Sequence, residues 1–149
     1  MKIEAVTGSE WHTSHGAKGF VFVVSDGQEQ HIHESKQVTK LDIDWTNVQN
    51  GKHGRWATTL YEVPPGTILK LFAIATYRGR PNGGGGGYFI VDPSVPEIQA
   101  TGGDYSGRGG SLCGHLQPIP LDDLPQYGIN VTADHRRYYK DKLGIRQLA

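Results

Sequence analysis

The chain reads as an all-β protein, a mainly antiparallel sandwich or barrel-like sheet, with one C-terminal α-helix. Three observations predict this. Short runs of β-branched and aromatic residues recur between turn signals from residue 1 to about 118. Glycine supplies 21 of the 149 residues, a load that excludes a helical bundle or a coiled coil. Only residues 132–143 carry both the start and the stop signals of a helix.

The elements follow in order. Residues 1–6 form a first strand, closed by Thr7-Gly8-Ser9. Residues 19–24, Gly-Phe-Val-Phe-Val-Val, are dense in β-branched and aromatic side chains, and the turn Ser25-Asp26-Gly27 ends them. Residues 28–33 return as the hairpin partner. In residues 38–45, Leu41, Ile43 and Trp45 alternate with Lys40, Asp42 and Asp44, the pattern of a strand with one wet face. Residues 47–54 are a polar loop. Residues 55–63 and 67–77 are strands joined by Pro64-Pro65-Gly66, which suits a type II turn because Pro presets the first φ and Gly accepts the positive second one. Residues 68–75 are the most apolar stretch and belong at the centre of a sheet.

Residues 76–92 read as a hairpin with a long glycine-rich loop, and residues 101–111 as a second such loop. Between them, residues 95–100 read as an edge strand, because Pro93 and Pro96 cannot donate to a ladder. Residues 112–119 are the last expected strand. Residues 120–128 can hold one helical turn. In the helix, Thr132 caps the N-terminus, Asp134 sits in the first turn, Lys140 and Lys142 in the last, and Gly144 takes the left-handed stop. The expected core contains Phe20, Phe22, Leu41, Ile43, Trp56, Leu60, Leu69, Leu71, Phe89 and Val91.

The length suits one domain over residues 1–149, with a β-rich body over about 1–118 and a helical extension over about 120–149. Fifteen basic and fifteen acidic residues cancel, which argues against a basic nucleic-acid coat or an acidic tail protein. No apolar run reaches the roughly 18 residues of a membrane span, so no membrane partner is expected. Residues 1–6 are too short and mixed for a signal peptide. Cys113 is the lone cysteine, and a reducing, cytoplasmic compartment fits a chain that cannot form an internal disulfide.

Four groups of residues are candidates for chemistry. The first is Arg78-Gly79-Arg80-Pro81-Asn82 followed by five glycines. Glycine exposes backbone N–H groups that can cradle an anion, two arginines can fork onto phosphate or carboxylate, and Tyr77 and Tyr88 flank the segment as stacking platforms. The segment lacks the Gly-Lys-Ser/Thr of a phosphate loop and is followed by a strand, unlike a dinucleotide fingerprint. The second is Tyr105-Ser-Gly-Arg108-Gly-Gly-Ser111. If both glycine segments leave the same end of the sheet, Arg78, Arg80 and Arg108 converge on one site.

The third group is the histidines. His31 and His33 share one face of a strand, and with the Pro64-Pro65-Gly66 turn downstream they resemble part of the cupin metal pattern. That pattern asks for a carboxylate where this chain has Gln37 or Val38, and for a further histidine where it has Leu69. His12-Thr13-Ser14 resembles one half of a two-histidine phosphodiesterase motif, with His15 beside it, but His31-Ile32-His33 lacks the hydroxyl of the second half. Cys113 and His115 share a strand face, where the surrounding pattern makes Cys113 a buried structural thiol. The fourth group is the helix, with His135, Arg136, Arg137, Lys140 and Lys142 against Asp134 and Asp141. With Tyr138 and Tyr139 this basic helix can lie on nucleic acid or on a partner's acidic face, and by another face Tyr139 and Leu143 are spaced to pack on the sheet while the charges stay in water.

The expected function is binding of an anionic, nucleotide-like or phosphorylated small molecule by Arg78, Arg80, Asn82, Arg108, Tyr77 and Tyr88, with no catalytic residue, metal or other cofactor. One alternative is a histidine-based metal-dependent or phosphodiester hydrolase. Another is a protein-interaction or inhibitor module, with self-association to a homo-oligomer through sheet edges.

Overall fold

The computed structural model describes residues 1–9, 15–25, 28–31, 40–42, 56–77, 80–105, 108–139 and 144–148. Its strands are β1 (Lys2–Ser9), β2 (His15–Ser25), β3 (Gln28–His31), β4 (Lys40–Asp42), β5 (Trp56–Glu62), β6 (Ile68–Tyr77), β7 (Arg80–Val91), β8 (Glu97–Tyr105), β9 (Arg108–Ile119) and β10 (Gly144–Gln147). A 3-10 helix (Leu121–Tyr127) and one short α-helix, α1 (Ala133–Tyr138), lie between β9 and β10. All the pairings between strands are antiparallel, and they form one curled half-barrel sheet.

Strand β9 makes the curl. Its second half pairs with β7, Leu116 opposite Val91, while its first half pairs with β1 on the same edge and with β8 on the other. Between the halves sits Gly114 at φ +154°, where a Cβ would come within 2.7 Å of Ile3 Cδ1, so the bend is reserved for glycine. The halves fold face to face: β7 lies over β8, β6 over β8 and β9, and β2 over β1 and β9.

Alternation then sorts the side chains. Ile3, Ala5, Val21, Leu69, Leu71, Phe89, Val91, Ile98, Ala100, Leu112 and Leu116 fill the space between the halves. The opposite faces of β2, β6 and β7 are also apolar. There Val24 and Tyr88, with Ile119, Leu124 and Ile129, form a second cluster under the C-terminal segment.

Several expectations hold. Pro64 accepts from the Thr67 amide at 3.3 Å and Gly66 sits at φ +86°, as a type II turn requires. Strand β6 is central, between β2 and β7. Leu69, Leu71, Phe89 and Val91 are core residues, and Cys113 is buried. Residue Ile43 lies outside the described residues, and of Phe20, Leu41 and Trp56 only the backbone is described.

Other expectations are corrected. The five glycines are not a loop: Gly84 to Gly87 pair in register with Ile74 to Leu71, and β7 begins already at Arg80. The second glycine segment is likewise strand, with β8 running to Tyr105 and β9 starting at Arg108. Strand β8 is internal, flanked by β9 and β10, because it starts after Pro96 and its amides are free to pair on both edges. Strand β9 is not the last, since β10 follows. The helix stops earlier than 143: Tyr139 leaves helical geometry at φ −69°, ψ 131°, and Gly144 opens β10 instead of ending a helix. Leu60 is 63% exposed, on the outer side of β5, which pairs with β1 alone among the described strands. Phe22 is half-buried on the covered outer face, a consequence of β2 being apolar on both sides.

Candidate functional site

The glycines of β7 are a packing device, and the site follows from them. A Cβ on Gly102 of β8 would come within 2.7 Å of the Gly85 carbonyl oxygen, so here the two halves of the sheet meet backbone to backbone. On the other face, a Cβ on Gly84 would touch the Tyr138 ring at 3.3 Å, and Gly86 forms a parallel bridge with Tyr139. A side chain at Gly84 would press on the Tyr138 ring of α1, and one at Gly86 would run into the Leu71 carbonyl of β6.

This contact also sets the direction of the strands. Val91 and Glu97 face neighbouring residues of β9, Leu116 and His115. Gly85 and Gly102 meet farther along. From the bend, β7 traced backward and β8 traced forward therefore run the same way. Arg80, Tyr77 opposite it, Tyr105 and Arg108 opposite it all stand at one end of the sandwich, with His15 opposite Tyr77 and Ser9 opposite Arg108. Both hairpins shift register just before their tips, β7 between the partners of Ile74 and Thr76 and β8 between Gly102 and Tyr105. Such bulges bend strand ends and re-aim side chains at barrel rims.

Of the expected site residues, Arg80 is exposed. Arg78 lies outside the described residues, and of Tyr77, Asn82 and Arg108 only the backbone is described. Tyr88 does not join them. It stands eight residues from Arg80 along β7, roughly 26 Å at strand rise, and is buried at 1% exposure. His12 and His33 lie outside the described residues, while the backbone of His31 pairs in register with that of Phe22, seven residues and roughly 23 Å along β2 from His15. His115 Nδ1 donates to the Val95 carbonyl at 2.7 Å and fastens the turn before β8.

Tyr88 belongs to a second place, a cavity of about 210 Å³ between α1 and strands β6 and β7. At its floor Tyr88 O–H donates to Glu29 Oε1 at 2.6 Å, and Lys70 Nζ donates to both Glu29 oxygens at 3.1 and 3.0 Å. The Tyr88 oxygen also lies 2.7 Å from His135 Nε2. The tautomer follows from the helix cap. The Thr132 amide donates to His135 Nδ1 at 3.1 Å, so the proton of the neutral ring is on Nε2 and is donated to Tyr88. In return Thr132 Oγ1 accepts from the His135 amide at 3.2 Å, so His135 completes a capping box usually closed by Glu or Gln.

Electrostatics agree with this direction. Burial raises the Glu29 pKa, but the hydrogen bonds from Tyr88 and Lys70 and the Lys70 charge outweigh it, and the carboxyl stays below its usual range. Burial first, then the hydrogen bond to Glu29 and its charge, push the Tyr88 phenol well above its ordinary value. Tyr88 is thus held as a neutral donor, unsuited to act as a base. The Lys70 ammonium lies 5.0 Å from the Phe22 ring centroid, a further stabilisation of its charge.

Sequence reasoning did not single out Glu29 or Lys70, and it placed His135 among the charges in water. The available signal was His135 three residues after a capping threonine. Among the described residues no group of three His, Cys, Asp or Glu is arranged to hold a metal, and no helix is long and apolar enough to cross a membrane. Comparison with protein-family models, with curated proteins and with solved structures finds no match.

Proposed function

We propose that the protein binds a small anionic ligand, nucleotide-like or phosphorylated, at the end of the sandwich where the β6–β7 and β8–β9 hairpins finish. The observation that carries this reading is the Gly85–Gly102 contact, which with the β9 registers brings the backbones of Arg80 and Arg108 to one end. Arg80 opens β7 after one hairpin and Arg108 opens β9 after the other, and Arg78 precedes Arg80 by two residues in the sequence. A guanidinium offers a planar fork that matches phosphate, and the bulged backbone leaves N–H groups off the ladder to complete the cradle with Asn82. Of the two expected stacking tyrosines, Tyr77 is the one whose backbone stands at this end, Tyr88 being committed elsewhere. The single cysteine supports a cytoplasmic setting.

A second reading, association through a sheet edge, is favoured by β10. Among the described residues this strand pairs on one side only, and Ile145 is exposed beside an apolar groove with Ile98 and Leu116.

A thermal-shift screen with nucleotides and inorganic phosphates tests the first reading, because a ligand selective for the native state raises its stability. A dose-dependent rise with ADP that Arg80→Ala and Arg108→Ala abolish supports it. No shift with any anion, together with concentration-dependent sedimentation, supports edge association instead.

A further inference from the structure

The cavity under α1 has a chemistry that the anion site does not use. At about 210 Å³ it exceeds the roughly 150 Å³ in which an apolar cavity holds benzene. Part of its lining is bare backbone, Gly86 and Gly87, and its walls include the rings of Tyr88, Tyr138 and Tyr139. Tyr88 and Tyr139 are stacked at 6.2 Å, and Phe72 meets Tyr138 edge-on at 5.2 Å, so the walls are braced. Glycine backbone facing aromatic rings suits a flat molecule.

The polar groups narrow the choice. Tyr88, His135 and Glu29 satisfy one another and ask nothing of a ligand. Lys70 has three ammonium protons and Glu29 takes two, which leaves one donor on a residue that lines the cavity. Glu29 offsets the Lys70 charge, and Asp134 adds a negative charge at the wall, so an anion gains nothing here. We infer that this cavity is a binding site for a neutral, planar molecule of one or two rings carrying a hydrogen-bond acceptor, which Lys70 receives.

Coumarin, which has a carbonyl acceptor, and naphthalene, which has none, test this when titrated into the full chain and followed by amide chemical shifts. Coumarin is expected to saturate one site and to bind about tenfold more tightly than naphthalene, the worth of one charge-assisted hydrogen bond. Lys70→Met should keep naphthalene binding, which shows the variant is folded, and remove the preference for coumarin. Tyr138→Ala should weaken both probes, and Tyr138→Phe, which keeps the wall, should bind both like the parent. The inference is overturned by the absence of saturable binding, by a coumarin preference that survives Lys70→Met, or by full binding in Tyr138→Ala. Competition from inorganic phosphate, or loss of coumarin binding in Arg80→Ala, overturns it as well, since either would move coumarin to the hairpin tips.

Discussion

Tyr88 donates its phenolic proton to Glu29 across 2.6 Å, although 59 positions separate the two in the chain. The bond ties β7 to β3, and through His135 it ties both to α1. Tyr88→Phe keeps the ring and removes the link, leaving the His135 Nε2–H and one Glu29 oxygen without it. The expected cost is about 0.5–1.5 kcal/mol of unfolding free energy in a urea titration, the net worth of one hydrogen bond, since Glu29 is exposed and keeps both bonds from Lys70. A change within a few tenths of a kcal/mol would mean that water replaces the hydroxyl without cost.

The same group makes stability depend on pH. The folded Glu29 pKa lies below its ordinary 4.5, so its ionised form stabilises the native state above that pH. This contribution is lost as the pH falls through the folded value. Urea midpoints measured from pH 6 down to pH 3 should decline less steeply in Glu29→Gln than in the parent. Tyr88 has the opposite sign: its pKa is raised, so stability is lost above about pH 10 as the unfolded chain ionises. Tyr88→Phe should flatten that alkaline limb. Parallel curves for parent and variants would contradict the assignment.

Gly102 distinguishes a strand from a loop. A methyl group there meets the Gly85 carbonyl oxygen at 2.7 Å and the Ala73 Cβ at 3.3 Å. Gly102→Ala should destabilise by about 1–3 kcal/mol, the usual result of overpacking. In a solvated loop the same change would stabilise by about 0.4–1 kcal/mol by restricting the unfolded chain. Thermal unfolding decides between the two signs.

Thr132 holds the first turn of α1. Thr132→Ala should cost about 0.5–2 kcal/mol and speed hydrogen exchange at the amide of His135. Thr132→Ser should retain most of the protection. Equal exchange in all three proteins would show that packing of Tyr138 and Tyr139 alone seats the helix.

How far the sequence reveals this protein depends on the range of the interaction. The Pro65-Gly66 turn and the Thr132 cap are local, so residue type and spacing suffice to read them. The apolar alternation of β6 and β7 is nearly as plain. The glycine run misleads because glycine is a poor strand former, and what makes it a strand is external: Gly102 on one face, Tyr138 and Tyr139 on the other. Phe22 and Leu60 show the same limit, since alternation tells that two faces differ and not which one is covered. The Glu29, Lys70, Tyr88 and His135 cluster draws one residue from each of four elements, and no spacing along the chain betrays it. The gathering of Arg80 and Arg108 at one end was legible only as a condition, because it needs the bend in β9.

That gathering is tested most directly by a double-mutant cycle. ADP is titrated into the parent, Arg80→Ala, Arg108→Ala and the double variant, at low and at high salt. If both arginines grip one anion, each single change loses roughly 1.5–3 kcal/mol, and the pair is non-additive by about 0.5 kcal/mol or more because the two share a partner. Binding that is unchanged in both single variants would contradict a shared site. So would small, additive losses under about 1 kcal/mol that vanish with salt, the behaviour of ordinary surface charges.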